Sequence, residues 1–236
     1  MALHPSTRKL LLKVSTATLT TQMLKRGFRN VYMTGVRALH EGGPNMVGEA
    51  TTLRYIPARE DLATVESLGK RTHPQRKTIE TIAKGKVLVA DCRGEAGAAG
   101  IGAILAARLK ARGAAGFVCD GGVRDVAQAV SVGLPLYAKG PAAPANVTRH
   151  HAADSGRPIA CGGVAVFPGD VVVGDRDGVV VIPARLAREV AEAAHEQERL
   201  EDFLFAEVKA GAPLFGTYPP DEATLARYEK KRRRKR

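Results

Sequence analysis

The sequence predicts an α/β fold in which a mixed sheet is flanked by helices, and three features point to it. Residues 86–138 alternate strand, helix, strand, helix, strand, a pattern that packs as right-handed parallel crossovers. From Ile159 to Ile182 the pattern changes to short Val-rich strands divided by Gly169-Asp170, Gly174-Asp175 and Asp177-Gly178, which are hairpin signals. With 236 residues, 44% of them hydrophobic and none Trp, the chain suits one domain with a core of Val, Ala, Leu and Ile.

Taken in order, residues 6–26 carry apolar side chains at Leu10, Leu11, Val14, Ala17, Leu19, Met23 and Leu24, with Gly27 as a stop, which predicts one or two helices. A strand is expected around Val31–Thr34, a turn at Gly43-Pro44, and a strand from Met46 to Tyr55, rich in Thr and Val ahead of Pro57. Asp61 to Lys77 is polar and weakly periodic, so a loop with a short helix is expected. Lys86–Asp91 reads as a buried strand, and glycines at 94, 97, 100 and 102 lead into a helix from Ala103 to Arg112. Gly113 ends that helix; a strand at Phe117–Cys119, a helix near Val126–Val132 and a strand at Leu134–Ala138 follow. A long charged helix runs from about Pro183 to Lys209, and a last helix follows Pro219-Pro220. Residues 1–229 are therefore expected to form one domain with helical extensions at both ends, and 230–236 a basic, disordered tail.

Composition narrows the function classes. No apolar run approaches the roughly 18 residues of a membrane span. Residues 8–13 interleave Arg8, Lys9 and Lys13 with leucines, unlike a secretory signal. Cys92, Cys119 and Cys161 are odd in number and lack CxxC spacing, which favours a reducing, cytoplasmic setting over disulfides or structural zinc. The net charge is +12, but seven of those charges sit in the unbroken run 230–236. That tail can hold nucleic acid only non-specifically, through phosphates and with strong salt dependence, because no aromatic residue is interleaved to stack a base.

The most informative stretch is Gly113 to Asp125. It reads as a helix end, a short buried strand and a glycine-permitted turn that presents Asp120, Arg124 and Asp125 at the strand's carboxyl end, where α/β sheets bind ligands. An adjacent Arg and Asp can clamp a carboxylate and hold a hard cation; they can equally be a surface ion pair in a polar turn. Gly94 to Gly102 lacks the Lys-Ser/Thr of a P-loop and the GxGxxG spacing, which argues against ATP or dinucleotide. The start of the helix near Gly102 offers unpaired backbone N–H groups to a small anion. His150 and His151 diverge from one another and do not suit one metal. His73 could border a pocket, and Asp170, Asp175 and Asp177 read as turn formers.

Three segments together carry a family resemblance: Gly113–Asp125, Gly102–Ala106, and the long run Gly163–Pro183. They resemble the family named after the regulator of ribonuclease E activity A, which also contains the 4-hydroxy-4-methyl-2-oxoglutarate/4-carboxy-4-hydroxy-2-oxoadipate aldolases. The similarity extends from about Ser15 to Tyr218. It implies a swivelling β/β/α architecture, assembled as trimers or dimers of trimers. It further implies a class II lyase, aldolase or oxaloacetate decarboxylase in type, that uses Mg²⁺ or Mn²⁺ to release pyruvate from a 2-oxo acid. By the same resemblance Arg124 clamps substrate, Asp125 binds the metal, and Gly102, Ala103, Ile104 and Leu105 form the substrate turn through the Ile104 and Leu105 amides. Glu198 aligns with a Glu offered to a neighbouring subunit's site, against its plain reading as an exposed helix position. The alternative is a non-catalytic regulator that docks on ribonuclease E or another partner. Two positions depart from the family pattern: Ala103 stands where the aldolases usually have Asp, and Thr21 where an Asp is common. Asp91, Glu95 and Asp120 are the nearby acids that could take over from the residue missing at 103.

Overall fold

A computed structural model of the chain describes residues 3–40, 42 and 45–234; the turn expected at Gly43-Pro44 lies outside the described residues. Residues 6–26 form two helices, α1 (Pro5–Leu11) and α2 (Thr16–Lys25). Ser15 caps α2 through its Oγ, and Gly27, at φ +83°, supplies the left-handed residue that ends it.

The main sheet contains β1 (Arg37–Ala38), β2 (Met46–Pro57), β3 (Val87–Asp91), β5 (Gly116–Cys119), β7 (Leu136–Ala138), β9 (His150–Ser155), β12 (Val171–Gly174) and β13 (Val179–Ile182). Strands β2, β3, β5 and β7 are parallel neighbours, as the alternating pattern predicts. The other edge of β2 is shared: β12 pairs with its first half and β9 with its second, both antiparallel. Strands β4 (Ala99–Ile101), β6 (Gly122–Val123) and β8 (Gly140–Pro141) form a small parallel sheet, and β10 (Ile159–Cys161) pairs with β11 (Val164–Val166) in a hairpin. The remaining helices are α3 (Pro74–Thr81), α4 (Ala103–Ala111), α5 (Val126–Ser131), α6 (Ala187–Lys209) and α7 (Glu222–Arg234).

Period-2 alternation explains why β3 as far as Ala90, and β5, are apolar. Leu88, Ala90, Phe117 and Cys119 point into a core covered by α3, α4 and α5, while Val87, Val89 and Val118 point into a second core that holds the β10–β11 hairpin. A third cluster seats α1, α2 and α6 on β12 and β13. Asp170, Asp175 and Asp177 all lie in turns, as expected. Asp170 accepts from the Phe167 amide, and Asp175 accepts from Asp177 N, Thr16 N and Thr16 Oγ1, which ties α2 to the β12–β13 turn.

The structure departs from expectation in several places. Val31–Thr34 is a single irregular bridge, Tyr32 to Val180, rather than a strand. His150–Ser155 is a full strand, although its residues have little β propensity. The basic run is helical through Arg234 instead of disordered. Arg232 reaches Glu196 at 2.6 Å and Lys231 stacks on Phe203, so contacts to α6 offset the repulsion among the cations.

A buried charge group holds α1 to the sheet. Glu49 accepts from Lys86 Nζ at 3.0 Å and Leu3 N at 3.2 Å, with Arg8 Nη2 at 3.8 Å. Burial raises its pKa, but the Lys86 hydrogen bond, the Leu3 amide and the two positive charges outweigh burial and hold it below the usual carboxylate range. A depressed folded pKa contributes stability that is present above the unfolded value and lost as pH falls through the folded one. Glu49→Gln should therefore destabilise the fold at neutral pH by about 1–3 kcal/mol, and by less in acid. Urea denaturation at the two pH values checks this; equal losses at both would rule the charge out.

Candidate active site at the start of helix α4

The site is built where β4 runs into α4. The first backbone bond of α4 joins Ala106 N to Gly102 O at 3.0 Å, which leaves the Ala103, Ile104 and Leu105 amides without helical partners at the positive end of the helix dipole. Strand β6 pairs in parallel with β4, and Arg124 N donates to Ile101 O at 3.1 Å, so the end of β6 is held beside Gly102. The approach is close enough to require glycine. A Cβ on Gly102 would lie 2.7 Å from Arg124 Cγ and 3.1 Å from Asp125 Oδ2.

Asp125 has left-handed backbone angles, φ +52° and ψ +43°, a conformation that Asp and Asn tolerate better than most residues. It occupies the N-cap position of α5, yet its side chain caps nothing there. Its Oδ2 instead lies 3.2 Å from Arg124 Nε, and both side chains are a little under half exposed. One guanidinium edge thus pairs with the carboxylate and leaves the remaining N–H groups for a ligand.

These groups face a cavity of about 240 Å³ whose opposite wall includes Gln75 and Arg76 of α3 and Asn146. Gln75 is buried and donates to Tyr55 Oη at 2.8 Å and Gly100 O at 2.6 Å, which braces the backbone two residues before the amide turn. Gln75→Leu should leave Tyr55 Oη without this donor and Gly100 O with only the long bond from Tyr55 Oη, 3.4 Å, and cost about 1–3 kcal/mol, read as a lowered unfolding midpoint. An unchanged midpoint would show that Gln75 is not a brace. Gln75 Oε1, Arg76 Nε and Asn146 Oδ1 are themselves buried without a hydrogen-bond partner.

The structure brings Gly102, Ala103, Ile104, Leu105, Arg124 and Asp125 together around this one cavity. Glu198 does not line it. Its carboxylate accepts from Ser15 N at 2.9 Å and Ser15 Oγ at 2.7 Å, where it supports the start of α2. Burial raises the Glu198 pKa, but these bonds outweigh it and hold the group below its usual range. None of the acids considered as replacements at 103 reaches the cavity. Asp120 accepts from Cys92 N and Gly94 N, Asp91 from Arg93 N and Ala160 N, and Glu95 from Gly97 N. Thr21 spends its hydroxyl on Ala17 O, and His73 precedes α3 without lining the cavity. His150 is buried beside Tyr55 while its neighbour His151 is half-buried. Gln75, Arg76 and Asn146 were not foreseen: α3 carries only a polar, weakly periodic signal, and Asn146 opens a single 3₁₀ turn (Asn146–Thr148) too short to leave a pattern.

Among the described residues no three His, Cys, Asp or Glu side chains gather at one point. Asp125 nevertheless fits Mg²⁺ or Mn²⁺, since such ions keep several waters and take one or two carboxylates. Its carboxylate is accessible and has no capping duty.

A guanidinium, an accessible carboxylate and unpaired helix-start amides thus lie together on a mixed α/β scaffold. The chain belongs to the aldolase/RraA family, whose RraA-like model matches residues 16–181. It is 30% identical over 172 residues to a Halalkalibacterium halodurans protein provisionally named 4-hydroxy-4-methyl-2-oxoglutarate aldolase, covering 73% of this chain and 75% of that one. Streptomyces coelicolor RraAS2, described as an unusual member of the RNase ES inhibitor RraA family, superposes with a TM-score of 0.75 at 32% identity over 86% of this chain and 97% of its own. An uncharacterized Pseudomonas syringae protein shares the fold, with a TM-score of 0.81 at 24% identity over 92% of this chain and 95% of its own.

Proposed function

We propose that the chain is a cytoplasmic, Mg²⁺- or Mn²⁺-dependent lyase that releases pyruvate from a 2-oxo acid by retro-aldol cleavage or decarboxylation. The observation that carries this reading is the convergence of Arg124, Asp125 and the α4 amides on one cavity. Arg124 holds the substrate carboxylate by two N–H groups. When the C3–C4 bond breaks, its electron pair moves into the 2-oxo group as an enolate, the Ile104 and Leu105 amides donate to the oxygen where that charge develops, and a proton from water then goes to C3 to give pyruvate. A divalent cation bound at Asp125 would draw electron density from the same carbonyl. Among the described residues no carboxylate other than Asp125 lines the cavity. Glu198 enters the reading only through assembly into trimers, from a neighbouring subunit. The test is pyruvate release from oxaloacetate and from a 4-hydroxy-2-oxo diacid, with and without Mn²⁺. Release that is absent with both substrates would overturn it.

A second reading, a regulator that binds a ribonuclease or another protein, is favoured by Ala103 and by the likeness to the RNase ES inhibitor family. Such a regulator would show no metal-stimulated turnover, and its inhibition of the partner would survive neutralisation of Asp125.

A further inference from the structure

Two connections lead from the main sheet to the two halves of the candidate site. Residues 92–98 run from β3 to β4 and on to the amide turn of α4; residues 120–121 run from β5 to β6 and on to Arg124 and Asp125. Their roots are neighbours, since Ala90 of β3 is in register with Cys119 of β5. Their far ends meet again as β4 and β6, but these strands have only three and two residues, and their register shifts between Ala99 and Ile101. So short a ladder is marginal by itself, and the spacing of the two halves depends on what holds the roots.

Asp120 holds them. It is 5% exposed, and each carboxylate oxygen takes a backbone N–H from the other connection: Oδ1 from Cys92 N at 2.7 Å and Oδ2 from Gly94 N at 2.8 Å. The turn that offers both amides has Arg93 and Gly94 at φ +60° and +71°, and it closes through Glu95 N to Cys92 O at 3.0 Å. Amides in such a turn form a concavity for an anion, and here the anion is a side chain of the same protein. N–H bonds to a carboxylate are stronger than neutral ones, so one residue fixes the whole turn. The packing agrees: a Cβ on Gly121 would lie 2.7 Å from Cys92 Cβ and 3.0 Å from Glu95 O. Lys139, just after β7, straps the same place, donating Nζ to Gly94 O and N to Gly121 O, both at 2.9 Å.

We propose that Asp120 is a positioning residue of the lyase: by gripping Cys92 N and Gly94 N it sets the distance between the Ile104 and Leu105 amides and the Arg124–Asp125 pair. The inference rests on the 2-oxo acid reading of the cavity. Asp120 touches no substrate and acts through the amide turn. Arg124 and Asp125 serve the carboxylate and the cation, while the amides serve the oxygen on which charge develops. A shift between the two halves therefore falls on the transition state more than on the bound substrate.

Asp120→Asn keeps the shape but turns one acceptor oxygen into an NH₂ group, which cannot accept from the amide it faces. Pyruvate release is followed well below the unfolding midpoint, with whichever of oxaloacetate and a 4-hydroxy-2-oxo diacid the wild-type chain turns over. We expect kcat to fall at least about tenfold, because a displacement on the order of 1 Å is costly to a reacting geometry. KM should change by less than about threefold. Mn²⁺ affinity, read by electron paramagnetic resonance, should hold, because Asp125 keeps its carboxylate. Glu49→Gln, which only loosens the hold of α1 on the sheet, should leave kcat as it is. Unchanged kcat in Asp120→Asn, or an equal loss in Glu49→Gln, overturns the proposal and leaves Asp120 a purely structural carboxylate. A fall in Mn²⁺ affinity as large as that in kcat overturns it too, since Asp125 itself would then have moved. Should Asp120→Asn fail to fold, Lys139→Met decides. Position 139 is exposed, and losing the Nζ bond to Gly94 O loosens the same turn, so kcat should fall about threefold or more; unchanged kcat there overturns the proposal. A wild-type chain that releases pyruvate from neither substrate sinks the lyase reading itself, and this proposal with it.

Discussion

Asp125→Asn should reduce divalent-metal-stimulated release of pyruvate from oxaloacetate by at least about a hundredfold while leaving the fold intact. The expectation follows from what Asp125 does and does not do. Its left-handed backbone suits Asn as well as Asp, its side chain caps no helix, and it fills no core, so the exchange opens no cavity and strains no turn. What disappears is one negative charge. The ion pair to Arg124 is exposed enough to contribute little to stability, about 1 kcal/mol at most. The lost charge matters to a hard cation, which prefers anionic oxygen to an amide. Mn²⁺ binding followed by electron paramagnetic resonance should weaken in parallel with turnover. Full, EDTA-insensitive turnover in the variant would sink the metal-lyase mechanism.

The parts of the fold that were legible in the sequence are those whose side chains are buried on a fixed period. Val87–Ala90 and Phe117–Cys119 sit between two cores, so they had to be apolar at every position, and parallel neighbours follow from that. The turns at Asp170 and Asp175 were legible because local hydrogen bonds demand Gly and Asp. Strand β9 was not: His150 to Ser155 pairs with the second half of β2, and that partner, not the residues' own propensity, makes it extended. Strands β4, β6 and β8 are short and glycine-rich, so their pairing leaves no periodic trace, yet it is this pairing that brings Arg124 to Gly102. The same division holds for the site. Residues 102–105, 124 and 125 are close in sequence to the strand ends that carry them. Arg76, Gln75 and Asn146 come from segments whose place against the cavity is decided by tertiary packing, and no local pattern announces it. The basic run failed for a related reason. Its own charges favour disorder, but Glu196 and Phe203 on α6 supply the contacts that hold the helix.

Arg124→Lys should raise KM for a 2-oxo acid and lower kcat/KM by at least about tenfold, roughly 1.4 kcal/mol of lost transition-state binding. Arg124 shares its guanidinium between two tasks: Nε faces Asp125 Oδ2 at 3.2 Å, and the other N–H groups remain for the substrate carboxylate. A planar fork can do both at once; an ammonium is a point charge on a flexible stem and must choose. Lys at 124 would still neutralise Asp125, so Mn²⁺ affinity should change little, and the loss should fall on substrate binding. The position allows the exchange without collateral damage. Gly102 packs against Arg124 Cγ, an atom that Lys also has, and the β4–β6 pairing runs through the backbone. If the pair were only a surface ion pair, Lys would serve as well as Arg and nothing measurable would change. Kinetics with oxaloacetate beside a Mn²⁺ titration distinguish the outcomes. Wild-type kcat/KM in Arg124→Lys would mean that Arg124 is not the clamp.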